Sequence, residues 1–256
     1  GGANTKMLYN IIYNESCIDT MKNFDDKCID LVLTSPPYNM RTRIRNGKYT
    51  TKEKSEHFSK KYLFFDDALP IDEFYSFHKS VLLELLRCSK IVLYNFQIVT
   101  GSKEAFFRLI GDLSKHIKDI IIWDKKNGQP AMHENVLNSS YEMILILEDD
   151  GMAGRMIRNA KFKRGEMQNI IRVSSKNIFK FDDTHKASFP KELAKVLIKN
   201  FSNENDIIYD PFMGCGTTAS ACVELNRKYI GSEIVSEYIP IIQKNLFHSQ
   251  PALMGG

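Results

Sequence analysis

The 256-residue sequence has no apolar run approaching the roughly 20 residues that a membrane-spanning helix needs; Met143 to Leu147 is typical of its longest. No positively charged segment followed by an apolar stretch opens the chain, so no secretory signal is expected. The cysteines Cys17, Cys28, Cys88, Cys215 and Cys222 are odd in number, none forms a C-x-x-C pair, and no histidine lies near a cysteine pair. A disulfide framework and a zinc site are therefore not expected, no metal ligand set is assigned, and a reducing cytoplasmic setting fits best. Internal repeats and low-complexity tracts are also lacking. No Gly-Lys-Ser/Thr follows a glycine-rich turn, which excludes a P-loop.

What is present is an ordinary globular composition, 43% hydrophobic and 26% charged, in a chain long enough to bury a core without staples. Apolar patterning predicts alternating strands and helices, hence an α/β fold. Strands are expected at 29–33, 91–94, 120–123, 143–147, 207–209 and 229–232. Helices are expected at 71–88, 102–117, 191–200, 217–225 and 237–247.

The net charge of +4 says little, but its distribution says more. Between Arg41 and Lys61 eight basic residues, among them Arg41, Arg43 and Arg45, face only Glu53 and Glu56. Between Gly151 and Lys180 another eight, among them Arg155, Arg158, Lys163 and Arg164, face only Glu166. Both stretches fall between predicted elements, where loops of such length are usually functional or disordered. They read as two solvated loops or as two arms that hold a polyanion.

Asp210-Pro211-Phe212-Met213-Gly214-Cys215-Gly216-Thr217-Thr218 lies between a predicted strand and a predicted helix. Gly214 and Gly216 permit close backbone approach to a ligand and positive φ. Thr217 or Thr218 can cap the helix, whose N-terminus favours a negative group. Asp210 can pair with an ammonium, and Glu233, at the end of the next strand, can accept from two ribose hydroxyls. Gly214-x-Gly216-x-x-Ala219 also fits the dinucleotide fingerprint. Little chain follows Glu233, however, so the rest of the sheet is expected upstream and the nucleoside-binding half is C-terminal.

Thr34-Ser35-Pro36-Pro37-Tyr38 ends an apolar strand. The prolines stiffen the turn and remove two N–H donors, leaving the Ser35 hydroxyl and the carbonyls as a rigid set of acceptors. Such a set suits a planar –NH2 group, and Tyr38 offers a face on which a flat heterocycle can stack. A polyproline ligand is the poorer reading, since such ligands occupy exposed polar tracts.

Ser35-Pro36-Pro37-Tyr38 followed far downstream by Asp-Pro-Phe-x-Gly-Cys-Gly-Thr-Thr resembles the amino-DNA methyltransferases, in the motif order of the subgroup called β. The resemblance runs from about Tyr13 to Leu246. It implies a Rossmann-like sheet that uses S-adenosyl-L-methionine, permuted so that the catalytic half (8–150) precedes the cofactor half (184–248), with a basic target-recognition insert at 151–183. It implies a flipped-out base whose exocyclic amine donates to Ser35 and the Pro36 carbonyl while Tyr38 stacks on the ring. No Pro-Cys dipeptide suggests a covalent cysteine intermediate.

The cofactor set implied is Ser16, Cys17, Thr34, His185, Phe189, Asp210, Phe212, Gly214, Cys215, Gly216, Thr217 and Glu233. Ser16 stands where the family usually has an acid, and Lys186 where proline usually follows the histidine. Trp123-Asp124-Lys125 resembles a Trp-x-Lys signature, or is a core tryptophan beside a surface lysine. Nucleic-acid contacts fall to Arg41, Arg43, Arg45, Arg155, Arg158, Lys163 and Arg164. Serine before Pro-Pro-Tyr associates mostly with cytosine N4 rather than adenine N6. The implied partners are double-stranded DNA and a cognate restriction endonuclease, no membrane is expected, and the protein is monomer or homodimer. An RNA methyltransferase and a non-catalytic nucleic-acid-binding module are the other readings.

Overall fold

The computed structural model describes residues 7–37, 70–175 and 190–250 in full, and the backbone of 42–45 and 48–51. The chain forms β1 (Ile11–Tyr13), α1 (Cys17–Met21), β2 (Leu31–Thr34), β3 (Thr42–Arg45) and β4 (Lys48–Thr51), then α2 (Ile71–Cys88), β5 (Val92–Phe96) and α3 (Lys103–Asp112). It continues with β6 (Ile117–Gln129), β7 (Ser139–Leu147), β8 (Ile170–Arg172), α4 (Lys191–Phe201), β9 (Ile207–Asp210), α5 (Thr217–Glu224), β10 (Lys228–Ser232) and α6 (Ile239–Ser249). One eight-stranded sheet runs in the order β1-β10-β9-β2-β5-β7-β6-β8, and β3 pairs with β4 apart from it. Every pairing in the large sheet is parallel except those of β7 with β5 and β6.

The central strands are apolar throughout because both faces are covered. In β2, Val32 packs into the layer with α1, α2 and α3, while Leu31 and Leu33 face the layer with α4 and α5. The helix α2 shows the same logic with a period of 3.6. Phe74, Val81, Leu82, Leu85 and Leu86 are buried on one stripe, and Asp72 and Glu73 sit in the first turn where the helix dipole favours them.

Several elements differ from the sequence reading. The helix expected over 102–117 stops at Asp112, because Ile117 enters the longest strand of the sheet. The basic stretch after the Pro-Pro turn contains the hairpin β3–β4. The described part of the stretch from Gly151 packs against the body of the fold. Ile157, Phe162, Met167, Ile171 and Val173 pack onto the α4–α5 layer, and β8 joins the sheet beside β6.

Candidate functional site

In a parallel α/β sheet the loops beyond the strand C-termini are the usual place for ligands. Thr34 of β2, Asp210 of β9, Ser232 of β10 and Tyr13 of β1 end there together. Thr34 Oγ1 donates to Asp210 Oδ1 at 2.6 Å, the Phe212 amide donates to the same oxygen at 2.9 Å, and Thr218 Oγ1 donates to Oδ2 at 2.8 Å. One buried carboxylate thus ties the Ser-Pro-Pro strand to the glycine turn. Burial pushes its pKa from 3.8 up to about 6, against those three hydrogen bonds.

The turn has the predicted backbone: Gly214 has φ 55° and Gly216 φ 85°. A Cβ on Gly216 would lie 2.9 Å from Ile242 Cγ2, so this position demands glycine for space as well as for φ. Neither threonine caps α5. Gly216 is the N-cap, no side chain accepts there, and the Thr218 hydroxyl is spent on Asp210. The Cys215 thiol is buried against Thr217 Oγ1 at 3.2 Å, and its carbonyl accepts from Asn245 Nδ2.

Glu233 follows β10 and folds over the turn. Its Oε1 accepts from the Gly214 amide at 2.8 Å and its Oε2 from the Val235 amide at 3.0 Å. Burial pushes its carboxyl from 4.5 up to about 7. Neither Glu233 nor Asp210 has a cationic partner among the described residues.

Ser35 is half-buried and Pro36 buried. The Ser35 hydroxyl donates to Asn95 Oδ1 at 3.0 Å, and Asn95 Nδ2 donates to the Met143 carbonyl at 3.1 Å. The second bond fixes the amide, so its oxygen faces Ser35. Asn95 was not foreseen, because no local pattern marks a contact between residues 60 positions apart.

The remaining predicted residues divide by place. Ser16 is the N-cap of α1, accepting from the Ile18 amide at 3.3 Å. Cys17 is buried, and burial pushes its thiol up to about 12. Tyr38, Arg41, His185 and Phe189 lie outside the described residues, as do the side chains of Arg43 and Arg45. Arg155 and Arg158 are not brought to this edge. They pair with Asp119 at 2.6 Å and Asp150 at 3.1 Å, near the end of the sheet where β5 and β6 begin. Lys163 and Arg164 are exposed on the covering segment. Lys125 is no surface lysine: it is buried against Glu142 at 2.8 Å and stands over the Trp123 ring. A cavity of 680 Å³ lies apart from the turn, beneath that segment and lined by Ile121, Ile157, Phe162 and Phe201.

A DNA methylase family model spans residues 29–244, from just before β2 to the last helix. The chain belongs to this DNA methylase family. Its relatives include the type II methyltransferases M.HinfI of Haemophilus influenzae, 26% identical over 97% of this chain and 71% of the relative, and M.BglII of Bacillus subtilis, 24% identical over 92% and 68%. Among solved structures the fold matches the cytosine-N4-specific PvuII DNA methyltransferase, with TM-score 0.67 and 15% identity over 97% of this chain and 89% of that one. It also matches M1.HpyAVI in complex with S-adenosylmethionine, with TM-score 0.59 and 19% identity over 92% and 98%.

As a DNA methylase of this family the protein is a transferase that uses S-adenosylmethionine to methylate amino groups of DNA bases. The residues at the strand ends fit that cofactor. Among the described residues the buried Glu233 carboxylate has no cationic partner, the α5 N-terminus has no side-chain cap, and the intervening turn admits no Cβ at Gly216. The hydroxyls of a ribose answer the first, a carboxylate the second, and a ligand that approaches the backbone closely the third.

Proposed function

We propose that this methylase acts on N4 of a flipped-out cytosine in double-stranded DNA, with Ser35 and the Pro36 carbonyl accepting from the target amine. The single observation that carries this reading is the orientation of Ser35. Its proton is directed to Asn95 Oδ1, so toward an incoming amine the hydroxyl acts as acceptor rather than donor. An amine that donates both hydrogens to fixed acceptors is drawn toward tetrahedral geometry, and its lone pair is freed from the ring. Prolines at 36 and 37 keep the acceptors rigid, so the effect is one of positioning and preorganised electrostatics.

S-adenosylmethionine supplies a methyl group on a sulfonium, a strong electrophile that needs no covalent enzyme intermediate. On this reading Glu233 accepts from the ribose hydroxyls in exchange for the Gly214 amide, and Gly214 to Thr217 frame the cofactor. Asp210 acts differently from the ammonium partner expected from sequence. Its oxygens are engaged by Thr34, Phe212 and Thr218, so it holds the two turns in register. Ser35 is a neutral hydroxyl and a weak base, so the amine proton leaves to water.

The preference for cytosine rests on serine at position 35 and agrees with the name of the PvuII relative in fold. The segment 151–183 and the loop after Pro37 are proposed to serve DNA, with Lys163 and Arg164 the exposed candidates of the former. Single-turnover methylation by Ser35→Ala tests the mechanism. The expected result is a loss of at least about a hundredfold, the scale of removing one preorganised polar contact to the reacting group, with cofactor affinity unchanged. Near-full turnover overturns the role of the hydroxyl.

A further inference from the structure

The strands β6 and β7 outrun their neighbours. β5 stops at Phe96, opposite Met143, whereas the β6–β7 ladder continues through Trp123–Glu142 and Asp124–Tyr141 to Gln129–Ser139. The hairpin leaves the sheet at the edge that carries Ser35. Gln97 Nε2, just beyond β5, donates to Ser139 Oγ at 3.4 Å, and Asn95 bridges Ser35 to Met143. Its stem is braced by the buried Lys125–Glu142 pair and by Trp123 Nε1, which donates to the Val173 carbonyl at 2.8 Å. Its loop is closed by the Ala131 amide donating to Asn138 Oδ1 at 2.8 Å.

The tip of this braced hairpin is apolar. Met132 is 89% exposed, Leu137 92% and Val136 58%. Single exposed apolar side chains are ordinary, but a cluster on one projecting loop marks an interaction surface. Around it stand Gln129 and His133, and Glu134 is the one acid between Ala131 and Tyr141.

We propose that this tip is a wedge for duplex DNA: Met132, Val136 and Leu137 enter the base stack at the target and hold the target base out of the helix. The proposal rests on the DNA-methylating reading of Ser35 and deepens it. A base carried to Ser35 leaves a gap between two apolar base faces. Apolar side chains inserted at a base step are a general way of occupying such a gap. The reach suffices, because β7 from Met143 to Ser139 alone extends about 13 Å at roughly 3.3 Å per residue. That exceeds the roughly 8.5 Å depth of the major groove. Gln129 and His133 offer donors to the flanking phosphates. An apolar tip surrounded by donors matches a nucleic-acid stack better than it matches an apolar protein face.

The test is the double variant Met132→Ser/Leu137→Ser of the full chain, assayed against wild type on two duplexes. One carries the target base paired; the other carries it opposite an abasic position, where no pairing opposes extrusion. The expected result is a ten- to hundredfold slower single turnover on the paired duplex, a loss within about threefold on the abasic one, and unchanged cofactor affinity by calorimetry. Equal losses on both duplexes, or none on either, overturn the wedge. So does a wild-type dimer in sedimentation that the variant dissociates, since the tip then covers a second copy. A wild type that methylates neither duplex overturns the enzymatic reading, whereas an active wild type beside an unaffected variant overturns the wedge alone.

Discussion

Replacing Glu233 by glutamine should change how the stability of the unliganded protein depends on pH. Burial lifts the Glu233 carboxyl from 4.5 to about 7 in the folded protein, so between those values the folded state binds the proton that the unfolded state has released. Stability from this group is therefore complete below pH 4.5 and is lost as the pH rises through 7. Each pKa unit is about 1.4 kcal/mol, so the whole window is worth about 3 kcal/mol. Most of it falls between pH 5 and pH 8.

Glutamine does not titrate. Its substitution costs one acceptor, because only one of the Gly214 and Val235 amides keeps its bond, and that cost is the same at every pH. Urea denaturation without cofactor should thus find Glu233→Gln gaining about 2 kcal/mol on wild type from pH 5 to pH 8. Cofactor affinity should move the other way. The variant binds S-adenosylmethionine at least about tenfold more weakly at pH 8, because one ribose hydroxyl loses its charged acceptor. Stability curves of wild type and variant that stay parallel across this range would refute the reasoning.

Other changes separate the parts of the site. Asn95→Ala should slow single-turnover methylation by roughly tenfold or more, with cofactor affinity unchanged, whereas Asn95→Asp, which keeps an acceptor for the Ser35 proton, should retain more activity than alanine; equal rates for both variants would remove Asn95 from the account. Gly216→Ala should lower thermal stability by about 1–3 kcal/mol, since φ is 85° and the new Cβ meets Ile242; a melting temperature within a degree of wild type would show that the turn yields easily. Arg155→Ala/Arg158→Ala should leave both the affinity for DNA and its salt slope unchanged, because these guanidiniums are spent on Asp119 and Asp150 away from Ser35. A slope reduced by about 1 per arginine would return them to the DNA surface.

Much of the fold was legible because its signals are local. The helix α2 has the bounds read from its apolar period, and the strand–turn–helix around Gly214 and Gly216 follows from glycines and an apolar run. Short elements were not legible. β1 and α1 occupy only Ile11–Tyr13 and Cys17–Met21, too few residues to show a period. The site was read in its motifs but not in their mutual bonds. Sequence offers Asp210 as an ammonium partner, yet the Thr34 hydroxyl that engages it comes from 176 residues away. The partners of charges are equally non-local: Arg155 and Arg158 meet Asp119 and Asp150 through the β6–β7 pairing, while Lys163 and Arg164 stay exposed.

The central claim is transfer to the amine of cytosine, and product chemistry tests it most directly. The protein is incubated with S-adenosylmethionine and mixed-sequence duplex DNA, and the DNA is digested to nucleosides for mass spectrometry. The account predicts N4-methylcytosine, lost in Ser35→Ala. N6-methyladenine as the product would contradict it, since the family and fold would stand but Ser35 would no longer select the base.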